Sequence, residues 1–220
     1  MRIGILGSGL MGGKLGTIFA RAGHEVIFSY SRHPKKLEEL ARSANNNARA
    51  GTPHEAAQQS ELLILAVHWS RVDDVLAQTG DLAGKTIVTC SLPMNADDTQ
   101  LVITHTSSGA EELAKRVPKA HVVSAFGTVP SEVLFGVFEA RKRKNRPSLL
   151  YAGDHAKSKA VVAKLIQEVG FEPVDAGPLR MSRYSEPFTL LIAQLAYEGD
   201  RGPELAYRFE WFENETTGNA

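Results

Sequence analysis

ILGSGLMGGKLG, residues Ile5 to Gly16, begins inside a short apolar run, RIGIL, and ends inside a stretch with helical spacing. Glycine within a helix is destabilising by roughly 0.5–1 kcal/mol relative to alanine, so glycines at 7, 9, 12, 13 and 16 need a reason. Gly7, Gly9 and Gly12 form G-x-G-x-x-G between strand and helix, and each has its own task there. Gly7 permits a tight turn, Gly9 leaves the main chain bare for a pyrophosphate, and Gly12 lets helix and strand approach closely. The helix amino terminus offers unpaired N–H groups and a positive dipole end to phosphates, and Ser8 adds a hydroxyl. Gly13 and Gly16 are better explained by helix packing.

Outward from this turn, apolar runs alternate with helical patterns. RIGIL precedes a helix over 9–22, VIFSY one over 34–42, LLILAV one over 70–78, and TIVTC one over 108–117, before HVVSAF. Such repetition predicts parallel strands joined by right-handed crossovers, a doubly wound α/β Rossmann sheet. Pro34 suits a first turn, Ser70 with Asp73 and Ser108 with Glu111 read as capping boxes, and Pro118 stops what precedes it. Met11, Leu15, Ile18, Phe19 and Ala22 share one helical face, which the pattern lays on the sheet.

The basic, proline-bearing segment EARKRKNRPS, Glu139 to Ser148, is the clearest break in composition. It divides an expected dinucleotide-binding domain, 1–140, from a small carboxy-terminal extension, 147–220. The extension reads as a strand, SLLYA, a helix from Asp154 to Val169 closed by Gly170, and a strand, FEPV. A helical segment kinked near Pro187 follows from Gly177, then a second short helix over Pro203 to Phe212 and a frayed polar tail, ENETTGNA. The run FTLLIAQLAY suits either the face of a homodimer or the core of the extension.

The 220 residues carry 25 Lys+Arg against 25 Asp+Glu, so no global field favours nucleic acid or an anionic membrane. A small-molecule partner is expected instead. A single cysteine, Cys90, excludes an internal disulfide and points to a reducing, cytoplasmic setting. The glycines interrupt the first apolar run at motif spacing, so it reads as mature protein rather than a signal peptide. No run reaches the roughly 20 apolar residues of a membrane span.

The choice of dinucleotide is made at the end of the second strand. NAD would need a carboxylate there for the ribose 2′-hydroxyl, and the chain reads SYSRHPKK, Ser29 to Lys36. Ser31 and Arg32, with Lys36 one turn on, instead suit a 2′-phosphate, which a guanidinium fork matches. The cofactor expected is NADP(H).

GSGLMG, the Ser31–Arg32 pair, LLILAVHW, HVVSAFGTVP and above all LLYAGDHAKSKAVVAKLIQEVGFEPVDAGPL form a long ordered match. From Met1 to about Phe209 the sequence resembles the coenzyme F-420-dependent NADP oxidoreductases, their bacterial relatives, and the cytosolic reductase domain of metalloreductases. The resemblance implies hydride transfer between NADPH and a deazaflavin (coenzyme F-420) or a flavin, FAD or FMN, lying in the cleft between domain and extension. It places Ser8, Gly9, Leu10 and Met11 on the pyrophosphate and Ser31, Arg32 and Lys36 on the 2′-phosphate. Ala66, Val67, His68 and Trp69 end and follow LLILAV, Ser91 with Leu92 and Pro93 follows TIVTC, and both groups lie at carboxyl ends of strands, where ligands bind in open α/β sheets. Ala125, Phe126 and Thr128 would approach the nicotinamide, and Gly127 stands where archaeal members carry a histidine.

Two stacked redox rings need little from side chains beyond distance and angle, so no triad is expected. A proton for the reduced ring would come from solvent or from His68, whose other reading is a packing or ribose contact. His54, His105, His121 and His155 lack metal spacing, Asp97 and Asp98 read as loop charges, Tyr184 and Glu186 as generic, Cys90 as a small buried residue. Residues 141–146 read as a solvated loop or a cradle for an acidic partner. A 3-hydroxyacid or imine dehydrogenase shares G-x-G-x-M-G but appends a large helical domain for which too little chain follows Pro147. A non-catalytic NADPH-binding regulatory protein is the reading from another class; it needs no apolar slot bounded by Phe126, Pro130 and the helix over 187–196.

Overall fold

The computed structural model describes residues 1–44 and 47–212. The polar tail ENETTGNA lies outside the described residues. Among the described residues one sheet holds eight strands: β1 (Arg2–Leu6), β2 (Glu25–Ser29), β3 (Ala48–Ala50), β4 (Leu62–Leu65), β5 (Thr86–Thr89), β6 (His121–Ala125), β7 (Ser148–Gly153) and β8 (Glu172–Asp175). Their order is β3-β2-β1-β4-β5-β6-β7-β8, parallel except where β7 runs antiparallel to β6. The order reverses between β1 and β4, the switch point at which open α/β sheets bind ligands.

The helices are α1 (Leu10–Arg21), α2 (Pro34–Ser43), α3 (Pro53–Gln59), α4 (Val72–Ala77), α5 (Gly109–Arg116), α6 (Val133–Glu139), α7 (Ala156–Val169) and α8 (Ser182–Tyr197). Strand residues alternate between two apolar layers, as the period of two requires. Ile3, Ile5, Leu62 and Ile64 join Leu15, Ile18 and Phe19 of α1, Leu37 of α2, Leu134 of α6 and Leu165 of α7. Leu6, Leu63 and Leu65 join Ala56 of α3, Val75 of α4 and Leu113 of α5 on the other face. The sheet is thus wound on both sides, and strands buried on both faces explain runs as continuous as LLIL.

Several local expectations need correction. Ala22 lies beyond α1 and is exposed. Ser70 does not cap a helix: a 3₁₀ turn, Trp69–Arg71, intervenes, and the His68 ring accepts the Ser70 N–H. Ser108 does cap α5, accepting the Glu111 N–H at 3.2 Å. Helix α3 carries a capping box of Thr52 and Glu55. Residues 203–212 form no helix but an extended strap beside β7. Ser148 N–H donates to Tyr207 O at 2.8 Å, and Phe209 N–H donates to Ser148 Oγ at 2.9 Å. Aromatics at 207, 209 and 211 follow the period of a strand, and the Tyr207 ring packs edge-on against Phe188 and Phe209 at 5.2 and 5.4 Å.

The boundary at 140–147 falls between α6 and β7, after which the chain continues the same sheet. Helix α8 runs continuously through Pro187 and packs on α5.

Candidate functional site

The glycine turn lies at the carboxyl end of β1. Gly7 has φ +107°, a conformation that favours glycine, and a Cβ there would meet Ala66 O at 2.4 Å. A Cβ at Gly12 would meet Gly7 O at 2.0 Å, and one at Gly16 would meet the Phe28 ring at 2.3 Å. Packing therefore demands Gly7, Gly12 and Gly16. Gly9 differs: it is exposed, and a Cβ would meet nothing within 4 Å. The protein itself has no steric need of a glycine at this position, so the bare main chain fits an outside ligand. The first helical bond here runs from Gly13 N–H to Gly9 O at 2.9 Å, leaving the N–H groups of Leu10, Met11 and Gly12 ahead of the ladder. No acidic side chain occupies the first turn of α1.

Ser8 serves the fold. Its N–H donates to Tyr30 O at 3.3 Å and its buried hydroxyl to Ser29 O at 3.0 Å. The hydroxyl hydrogen expected on a phosphate is committed to stitching the turn to the end of β2. That stitch brings Ser31 and Arg32 beside the turn. Tyr30 turns the chain with φ +58°, and its hydroxyl donates to Asp74. Burial, then Asp74, pushes the Tyr30 phenol up to about 12. Ser31 closes on His33, accepting its N–H and donating to its carbonyl, both at 3.1 Å. Arg32 and Lys36 are exposed at the surface, where a 2′-phosphate can reach them.

A cavity of about 470 Å³ opens against the start of α1. Leu10 and Met11 line it with Ala66 and Val67 after β4, Cys90 and Leu92 after β5, Gly127, Val129 and Pro130 after β6, and Leu190, Ile192 and Ala193 of α8. It is apolar on most sides and framed by carboxyl ends of strands. Burial pushes the Cys90 thiol up to about 12, which keeps it protonated at neutral pH. The archaeal histidine position, Gly127, has room: a Cβ would meet Cys90 O at 3.6 Å and Leu92 at 3.8 Å, ordinary contacts.

Other residues expected to contact cofactor do not line this cavity. The Phe126 ring is fully buried in the core, edge-on to Phe19 at 6.4 Å, because φ +63° turns it away from the cavity. Ala125 is buried in the same core. Thr128 meets the Tyr207 hydroxyl at 2.7 Å, in contact with the strap. Ser91 donates to Val67 O at 2.7 Å and accepts the Val67 N–H at 3.3 Å, shaping the loop after β4. The Trp69 ring lies beneath the Arg116 guanidinium at 4.9 Å. His68 has both nitrogens engaged: Nδ1 accepts Ser70 N–H, which puts the proton of the neutral ring on Nε2, facing Asn95 O at 3.2 Å and Asp98 at 3.1 Å. Asp98 lines the cavity and was read only as a loop charge.

Helix α8 forms the far wall, held by two contacts to α5. The buried Glu186 carboxylate accepts the N–H groups of Gly109 and Ala110 at 2.8 and 3.0 Å, satisfying donors at a helix amino terminus. Burial drives this carboxyl up to about 7, although both N–H donors pull the other way. Beside it Arg183 makes a two-pronged pair with Glu111 at 2.7 and 2.8 Å, and the guanidinium holds Glu111 below the usual carboxylate range. Across the rim, Tyr197 donates to Glu132 at 3.0 Å, and Lys14 of α1 donates to Ser131 O at 3.0 Å.

Residues 2–93 match the family described as NADP oxidoreductase, coenzyme F420-dependent. A crystal structure of a candidate F-420-dependent NADP reductase from Arthrobacter sp. FB24 is 24% identical, covers 95% of this chain and 99% of that chain, and superposes with TM-score 0.81. A hypothetical protein from Sinorhizobium meliloti is 26% identical over 96% of both chains, TM-score 0.74. A reductive aminase from Aspergillus terreus, solved with NADPH and ethyl-5-oxohexanoate, is 21% identical with TM-score 0.65; the match covers 88% of this chain and 60% of that one. Residues 2–93 thus match an NADP oxidoreductase family model, and the chain shares its fold with these structures.

Proposed function

We propose that this chain is an NADPH-dependent oxidoreductase exchanging a hydride between the nicotinamide and a flat redox acceptor, the deazaflavin coenzyme F-420 or a flavin. One observation carries the reading. The apolar cavity opens directly onto the amino terminus of α1, so a dinucleotide laid across Gly9 puts its reactive ring at the cavity mouth. The N–H groups of Leu10 and Met11 hold the pyrophosphate, and Arg32 with Lys36 neutralises the 2′-phosphate. When bound, NADPH supplies the hydride. The walls Met11, Val67, Leu92, Pro130 and Ile192 exclude water and fix the approach of the second ring.

In this reading 147–220 forms the functional unit that closes the cleft, although β7 and β8 share the sheet of 1–140. The FTLLIAQLAY run divides between two roles: Ile192 and Ala196 face inward, while Leu191 and Leu195, exposed on α8, suit a second subunit. A purely regulatory NADPH-binding protein has no use for an open apolar slot at that place.

Anaerobic mixing of the protein with NADPH and either coenzyme F-420, FMN or FAD tests the proposal. Loss of the acceptor's visible absorbance within turnover time is expected for one of them. NADPH that binds yet stays reduced with all three overturns it.

A further inference from the structure

The polar side chains of the cavity are few, and three of them, Ser131, Thr189 and Tyr197, are committed to protein partners. Ser131 Oγ accepts from Lys14 Nζ and donates to Glu132, both at 3.3 Å. Thr189 donates to Ser185 O within α8 at 3.1 Å, and the Tyr197 hydroxyl donates to Glu132. Cys90 remains a thiol. Asp98 alone adds a charge, since among the described residues no lysine or arginine lines the cavity.

Asp98 is held in a built position. Residues 94–101 form a small hairpin closed by the Met94–Leu101 bridge. Asn95 braces it, its Oδ1 accepting the N–H groups of Thr99 and Gln100 at 2.9 and 3.1 Å. Asp98 stands at the tip with φ +56°, a conformation that aspartate and asparagine adopt more readily than bulkier residues. From outside, His68 Nε2–H reaches both Asn95 O and Asp98 Oδ1, anchoring hairpin and carboxylate together. With Nδ1 accepting Ser70 N–H, a proton on Nε2 points toward Asp98. Oδ1 is occupied, Oδ2 has no partner among the described residues, and the side chain stands 66% exposed at the cavity rim.

We propose that Asp98 determines acceptor specificity by accepting a hydrogen bond from an N–H group on the acceptor, with His68 as its positioning residue. This rests on the oxidoreductase reading for the identity of the cavity. A carboxylate at the cavity rim, where the Lys14 ammonium is committed to Ser131, disfavours an anionic edge and favours a neutral nitrogen heterocycle that presents N–H, as the pyrimidinedione edge of flavins and deazaflavins does.

The test compares riboflavin and 5-deazariboflavin with their 3-methyl derivatives, which lack that N–H. Affinity is read by fluorescence titration into the protein–NADP⁺ complex, so no turnover is needed. Methylation weakens binding to the wild-type protein by about 3- to 10-fold, the value of one hydrogen bond to a solvent-exposed carboxylate. Asp98→Asn keeps the backbone conformation, but His68 holds its Oδ1 and turns the NH₂ toward the cavity. The variant therefore loses affinity for the N–H acceptors and shows no methylation penalty, while NADPH affinity is unchanged. Asp98→Gly, which also tolerates the turn, abolishes the penalty too. An equal penalty in wild type and variants, or no binding of any of the four compounds, overturns the proposal. Binding with the expected penalty but without NADPH oxidation refutes the hydride reading and leaves the Asp98 assignment standing.

Discussion

Gly9→Val separates what the glycine turn does for the fold from what it does for a ligand. The backbone at Gly9 is extended, φ −77° and ψ −155°, and a Cβ there meets no atom within 4 Å. Valine therefore fits, and its cost is that of a poor helix cap in place of glycine, about 1 kcal/mol, which for a chain of this size lowers Tm by about 2–4 °C. Its branched side chain stands over the N–H groups of Leu10 and Met11. Losing two hydrogen bonds to a charged pyrophosphate removes roughly 3–6 kcal/mol, or about 100- to 10,000-fold in NADPH affinity. Gly12→Ala is the counterpart: its Cβ would lie 2.0 Å from Gly7 O, so the helix must move off the turn at a cost of about 3 kcal/mol or more. Thermal unfolding paired with NADPH fluorescence titration reads both quantities on each variant. Gly9→Val that melts near wild type and binds NADPH within about threefold, under 1 kcal/mol, refutes the phosphate assignment.

Other outcomes follow from the same geometry. Arg32→Glu puts a carboxylate where the 2′-phosphate should lie, so NADPH affinity falls about 100-fold while NADH affinity holds; equal losses in calorimetry would contradict the assignment. Gly127→Leu projects into the cavity from a backbone that accepts a side chain, so acceptor reduction is lost while NADPH binding and Tm are retained, as steady-state rates and titration would show. Glu186 has a carboxyl raised from 4.5 to about 7 by burial, so between those values the folded protein keeps a proton that the unfolded chain has released. Its contribution is whole below pH 4.5 and declines by up to about 3 kcal/mol as the pH rises through 7; Glu186→Gln flattens that part of the stability–pH curve in denaturant melts.

The sheet was legible because its signals are local. RIGIL, LLIL and TIVT are buried on both faces, and continuous apolar runs survive any change of partner. The antiparallel turn of β7 was not legible, since strand direction depends on where the chain returns. Short elements escaped for stated reasons: β3 is three residues with Arg49 at its centre, and α6 hides its apolar spacing behind Gly136. The strap shows an error of period. Tyr207, Phe209 and Trp211 alternate, and an expectation of helix after Pro203 passed over that alternation.

The candidate site divides along the same line. Steric roles are legible, because a glycine's packing purpose is readable from its place between strand and helix: Gly7 and Gly12 are sterically necessary and Gly9 is free. Side-chain directions are not, because a residue at a strand end has two directions open to it. Ser8, Ser91 and Thr128 turned their hydroxyls to protein partners, and positive φ at Phe126 sent its ring into the core. Asp98 and Glu186 were undervalued for the opposite reason. A carboxylate in MNADDTQ or RYSEPF looks like any surface charge until the hairpin, the His68 ring or the start of α5 supplies a partner distant in sequence. Glu186 lies 77 positions from Gly109, whose N–H it accepts, and that contact helps fix the far wall of the cavity. The cavity wall thus rests on residues whose meaning exists only after folding, while the steric demands of the glycine turn are written in one short stretch of main chain.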